Sequence, residues 1–159
     1  MELTVSMLWS EAEATAIVRR HDGREGRLLP ILHDLQAAFG YVPAEAIPFL
    51  AQALNITRAE VHGVVSFYHD FRHEPAGRHV LKLCRAEACQ SMDGEAFARR
   101  VLDRFDLDWG GTTPDGRVTV EAIYCLGLCA SAPSAMLDGE PMARLNADSI
   151  DEIAHEVSR

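Results

Sequence analysis

The chain has 159 residues, 48% of them apolar and 25% charged, with 15 Lys plus Arg against 24 Asp plus Glu for a formal charge of −9. This composition and length support a buried core, exclude a disordered or collagen-like chain, and argue against nucleic acid as a partner. No apolar run approaches the roughly 20 residues of a membrane span, and Glu2, Glu11 and Glu13 stand where a secretory signal needs basic residues, so a cytoplasmic protein without direct membrane insertion is expected.

From Trp9 to about Phe71, apolar residues return every three or four positions, which predicts four short helices. The first, from Ser10 to His21, carries Ala14, Ile17 and Val18 on one side. The second, from Leu28 to Phe39, presents Leu28, Leu32, Leu35 and Phe39, keeps Pro30 in its tolerant first turn and stops at Gly40. Pro43 opens a third that aligns Ile47, Leu50, Ala51 and Leu54 and ends at Asn55. Thr57-Arg58-Ala59-Glu60 fits a capping box for the fourth, whose apolar face runs through Val61, Val64, Val65, Tyr68 and Phe71.

Arg72 to Arg78, with Pro75 and Gly77, breaks the periodicity and reads as a linker. Beyond it, strands and helices alternate. A strand is expected at 79–83, a helix at 95–105 with Phe97, Val101, Leu102 and Phe105 inward, and a strand at 118–124 after the Pro114-Asp115-Gly116 turn. A third strand at 134–137 turns at Asp138-Gly139 into a fourth at 142–145, and a helix at 147–157 follows, with Asn146 or Asp148 available as its cap. The fold class is α/β: a helical N-terminal region, then a β-α-β-β-α unit with helices packed on a mostly four-stranded sheet.

The four cysteines carry the chemistry. Cys84 and Cys89 form a C-x4-C pair just after the first strand, and Cys125 and Cys129 form a C-x3-C pair just after the second. Adjacent strands end side by side, so two loops leaving the same edge can bring four thiolates together. Soft sulfur ligands suit structural zinc or an iron–sulfur cluster. Zinc hooks are usually tight C-x2-C turns, whereas these wider loops suit a larger 2Fe-2S cluster with two ligands for each iron.

A disulfide pair belongs to a secreted chain, and thioredoxin-type exchange needs C-x-x-C; neither pattern is present. None of the seven histidines lies near a cysteine in sequence, although His62 and His69 share a face if the fourth helix runs through both. Gly110-Gly111 reads as a turn rather than a nucleotide cradle, so no NAD or flavin site is expected in this chain. An oxidised 2Fe-2S cluster with four thiolates carries two negative charges, which makes bare burial costly. The small residues Ala86, Ala88, Gly127 and Ala130 would let backbone N–H groups approach the sulfurs, and Arg85 either assists electrostatically or faces solvent or a partner.

Three stretches carry a resemblance: Leu28 to His33 followed by Phe39-Gly40-Tyr41-Val42-Pro43, then Glu60 to Tyr68, then the four-cysteine pattern with Cys125-Leu126-Gly127-Leu128-Cys129 and Ala132-Pro133. Together they resemble the thioredoxin-like 2Fe-2S ferredoxin subunits that accompany the flavin-bearing subunit in respiratory complex I and related NAD-linked enzymes. The resemblance spans nearly the whole chain and implies a helical region at 1–74 and a thioredoxin-like 2Fe-2S domain at 75–159. It implies one cluster ligated by Cys84, Cys89, Cys125 and Cys129 and no catalytic residue in this chain. Ala130 departs from the glycine that many members have there.

The loop Cys84-Arg85-Ala86-Glu87-Ala88-Cys89-Gln90-Ser91 differs from the complex I form and looks most like the gamma subunits of soluble molybdenum-containing NAD-dependent formate dehydrogenases. That likeness implies an FMN- and NAD-binding beta subunit and a large alpha subunit with the molybdenum cofactor, each carrying its own cofactors. Alternatives are the equivalent subunit of complex I or of an NAD-linked hydrogenase and, in other classes, a thiol oxidoreductase or a zinc-stabilised assembly module.

Overall fold

The computed structural model describes residues 9–159; Glu2 lies outside them. The described residues divide into two compact units, one ending at Pro75 and one spanning 76–159.

In the first unit, α1 (Glu11–Arg20), α2 (Leu28–Phe39), α3 (Ala46–Leu54) and α4 (Arg58–Phe67) follow the sequence punctuation closely. The Ser10 side chain accepts from the Glu13 N–H, Thr57 and Glu60 form the reciprocal capping box, and Gly40 and Asn55 take the left-handed conformation that ends α2 and α3. Ile17, Ile31, Leu32, Leu35, Phe39, Leu50, Val61 and Val65 make a closed core.

Three details depart from expectation. Pro43 stands ahead of a turn rather than opening α3, because the Pro43 carbonyl accepts from Ala46 N–H and the helix begins only there. Helix α4 stops at Phe67, so His69 is not on it and shares no helical face with His62. Phe71 is nevertheless buried, reached through a turn in which its N–H donates to the Tyr68 carbonyl. The segment read as a linker from Arg72 is also partly tied down. Arg72 N–H donates to the Gln36 side chain, its carbonyl accepts from Val42 N–H, and Gly77 and Arg78 N–H groups already bond to Thr119 and Gly116.

The second unit is a four-stranded mixed sheet in the order β2-β1-β3-β4, built from β1 (His79–Cys84), β2 (Val118–Ile123), β3 (Ser134–Leu137) and β4 (Glu140–Ala143). β1 runs parallel to β2, and the other pairings are antiparallel. The period-2 pattern sends Leu81, Leu83, Val118, Val120, Ala135 and Leu137 to one core. Against it pack Phe97, Ala98 and Val101 of α6 (Gly94–Phe105) and Ile150 and Ile153 of α7 (Ala147–Glu156). Asp138 and Gly139 both have positive φ, 52° and 91°, as a two-residue hairpin requires. The last strand is 140–143 rather than 142–145; Leu145 lies beyond it and is buried. A one-turn helix not apparent in the sequence, α5 (Glu87–Gln90), carries the second cysteine, Cys89. Among the described residues no helix is long and apolar enough to cross a membrane.

Candidate cluster site

The parallel register of β1 and β2 runs from His79 opposite Val118 to Cys84 opposite Ile123, so the two strands end together. Cys84 is the last residue of β1, and Cys125 stands two residues beyond β2. Cys89 lies on α5, while Cys129 opens a 3-10 turn, Cys129–Ser131, that packs against α5. The sheet edge therefore gathers residues from two loops whose cysteine pairs lie far apart in sequence.

All four are free thiols; Cys84 and Cys89 are buried, Cys125 and Cys129 exposed. Cys125 Sγ and Cys129 Sγ are 3.7 Å apart. Burial opposes ionisation of Cys84, but the Ala86 N–H, the Cys89 thiol and the N–H groups of Cys125 and Leu126 outweigh it and hold its thiol below the ordinary value. Cys129 is pushed up by its hydrogen bond with Cys125 and by the charges of Cys125 and Cys89. These cross-influences link both pairs. Negative charge accumulated on such a group of sulfurs is relieved by a cationic centre between them.

The donor set is four sulfurs arranged as two pairs. Among the described residues no group of three or more His, Cys, Asp and Glu side chains is already closed around one point. Four free thiols in two pairs are the donor chemistry that a 2Fe-2S cluster would need.

Backbone donors surround the sulfurs, though not all come from the small residues singled out. The Gly127 N–H donates to Cys125 Sγ at 3.4 Å, and Ala86 serves Cys84. Cys125 and Leu126 also donate to Cys84. The direction of the N–H decides here, not side-chain size. Gly127 (φ 77°) and Cys125 (φ 80°) both occupy the left-handed region, so the loop that aims these groups holds a non-glycine residue in a conformation costing about 1–3 kcal/mol.

The Arg85 guanidinium is neither on the sulfurs nor free in solvent: it lies 4.8 Å over the Trp109 ring and 3.3 Å from Glu95. Three of the seven histidines are engaged elsewhere. His21 pairs with Asp34 at 2.8 Å, His79 with Asp138 at 2.6 Å, and His33 stacks near Phe71. Sequence reasoning missed Ser134, whose buried hydroxyl lies 3.4 Å from Cys89 Sγ; the 45-residue separation leaves no local signal.

With this geometry in hand, similarity to known proteins is informative. A family model described as thioredoxin-like [2Fe-2S] ferredoxin matches residues 14–158. The chain is 32% identical over 133 residues to the HndA component of the NADP-reducing hydrogenase of Solidesulfovibrio fructosivorans, covering 84% of this chain and 78% of that protein. It is 35% identical over 130 residues to an NADH-quinone oxidoreductase subunit of Mycobacterium tuberculosis, covering 82% of this chain but only 52% of that one. Among solved structures it is similar to an NAD+-reducing [NiFe]-hydrogenase in the air-oxidised state, with TM-score 0.71 and 28% identity over 83% of this chain and 23% of that one. The chain thus spans about half the length of the mycobacterial relative and under a quarter of the hydrogenase chain.

Proposed function

The chain belongs to the thioredoxin-like [2Fe-2S] ferredoxin family, which implies one 2Fe-2S cluster, and from that premise we propose that it is an electron-transfer subunit of an NAD-linked multisubunit oxidoreductase. Cys84, Cys89, Cys125 and Cys129 are the proposed ligands, and residues 75–159 the domain that bears them. The observation that carries this reading is the convergence of two free cysteine pairs at the shared end of β1 and β2. When bound, such a cluster would accept and release single electrons, the complement of a flavin that takes the two electrons of a hydride.

The protein's own part is positional and electrostatic. The backbone N–H groups of Ala86, Cys125, Leu126 and Gly127 stabilise thiolate charge, and the Cys84–Cys89 pair lies inside while Cys125 and Cys129 form the exposed rim. Tyr124, 72% exposed beside that rim, and the acidic surface offer contact to a basic partner. The N-terminal region, residues 1–74, is proposed to add docking area. No bond chemistry falls to this chain.

For the assembly, the loop from Cys84 to Ser91 supports a soluble, cytoplasmic NAD-dependent formate dehydrogenase, with an FMN- and NAD-binding beta subunit and a molybdenum-bearing alpha subunit as partners. The names of the relatives favour a second reading, the equivalent subunit of an NAD(P)-linked hydrogenase or of NADH-quinone oxidoreductase. Purifying the complex from its native host decides between them: formate-dependent NAD reduction with bound molybdenum supports the first, whereas hydrogen-dependent or quinone-linked turnover supports the second. Cys125→Ser tests the ligand assignment itself, because a harder, less readily ionised oxygen replaces a thiolate. Iron content is expected to fall by half or more, and full iron content in the variant would contradict the assignment.

A further inference from the structure

Ser134 opens β3, where it is paired with Ala143 of β4, and one residue later Ala135 pairs with Leu83 of β1. Its position is therefore fixed by the sheet. It is 3% exposed, and its hydroxyl lies 3.4 Å from the sulfur of Cys89, itself 2% exposed. Between a hydroxyl and a neutral thiol either group can donate. A sulfur bound to iron has lost its proton and can only accept, so ligation of Cys89 would fix the direction as Ser134 O–H to Cys89 Sγ.

We propose that Ser134 raises the reduction potential of the cluster by donating this hydrogen bond to Cys89. The proposal rests on Cys89 being a ligand. Reduction adds one negative charge that spreads onto the sulfurs, and a donor aimed at one of them stabilises the more negative state more than the less negative one. Because both groups are buried, water neither screens the interaction nor replaces the donor if the hydroxyl is lost. Backbone N–H groups serve Cys84 and Cys125. Ser134 supplies the corresponding donor for Cys89 from a side chain, which evolution or mutagenesis can change without disturbing the loops.

The test is a redox titration of purified holoprotein, followed by visible absorbance and by the electron paramagnetic resonance signal of the reduced state, with iron and sulfide measured for every sample. In Ser134→Ala, the reduced-to-oxidised ratio at the wild-type midpoint is expected to fall about threefold to tenfold. At ~59 mV per decade for a one-electron couple, the midpoint moves about 30–60 mV lower. Iron content stays at the wild-type level, and Ser134→Thr, which keeps a hydroxyl, lies above the isosteric Ser134→Val. If the alanine variant does not retain its cluster, the threonine–valine comparison decides. An unchanged midpoint in Ser134→Ala at full iron content, or equal midpoints for the threonine and valine variants, overturns the proposal. Full iron content and an unchanged spectrum in Cys89→Ser would instead overturn the ligand assignment beneath it.

Discussion

Gly94 is the point where a single methyl group should disturb both fold and site. It opens α6 and is buried. A Cβ placed on it would stand 2.5 Å from the Cys89 carbonyl oxygen and 2.9 Å from the Cys89 carbonyl carbon, with Cys89 Cβ at 3.3 Å. The closest of these is about 0.9 Å inside ordinary contact, and the obstacle is backbone, which cannot rotate aside. Glycine to alanine in a helix ordinarily stabilises by up to about 1 kcal/mol. Here overpacking of about 1–3 kcal/mol opposes that gain. The gain is small at the first helical position, so a net loss of about 1–2 kcal/mol is expected.

For a unit the size of residues 76–159 this lowers the melting temperature by about 4–16 °C. The shift that relieves the clash moves the Cys89 turn, so cluster retention should fall as well. Thermal unfolding of the apoprotein, with iron analysis of the holoprotein, reads both effects. A Gly94→Ala variant that melts at or above the wild-type temperature and keeps its iron would show that the Cys89 backbone accommodates the added methyl group.

Acid stability offers a second test. Hydrogen bonds from Thr113 and then Arg117 hold the Asp115 carboxyl down at about 2, against an ordinary 3.8. A lowered carboxylate pKa contributes stability that is complete above the ordinary value and is lost as pH falls through the folded-state value. The stability difference between wild type and Asp115→Asn should thus be level above about pH 4 and shrink between there and about pH 2; a difference that stays constant through that window contradicts it. In the helical unit, Asp34 accepts from the buried His21, whose Nδ1 already lacks a partner. Asp34→Ala strands the second ring nitrogen, and a loss of about 1–3 kcal/mol is expected. Urea unfolding followed by Trp9, which packs on Phe39 and Phe49, measures it in a Trp109→Phe background; a change below about 0.5 kcal/mol, the effect of an ordinary surface substitution, would count against it.

Much of this architecture is legible in the residues because local chemistry and tertiary packing agree. Ser10, Gly40, Asn55 and the Thr57–Glu60 box mark helix ends through hydrogen bonds that need no distant partner. The alternation in 79–83 and 118–120 likewise states which side chains face inward. The convergence of the cysteine loops follows once β1 and β2 are read as neighbours, since the C-terminal ends of adjacent parallel strands lie at one edge. Other features rest on partners far away in sequence. Phe71 continues an apolar period but is buried by a turn after α4, so periodicity alone extends that helix too far. Arg85 settles on Trp109, and Ser134 on Cys89, through contacts that only the folded sheet creates. Helix α5 is one turn long, too short for any period to reveal.

The proposed ligation of one 2Fe-2S cluster by Cys84, Cys89, Cys125 and Cys129 at the shared end of β1 and β2 is open to direct measurement. Anaerobic purification with iron, zinc and acid-labile sulfide counted per chain, and the spin signal of the reduced protein quantified on the same sample, tests it most directly. A brown protein with two irons and two sulfides per chain and a rhombic signal approaching one spin per chain is expected. A colourless protein holding one zinc, with neither iron nor sulfide, would contradict it.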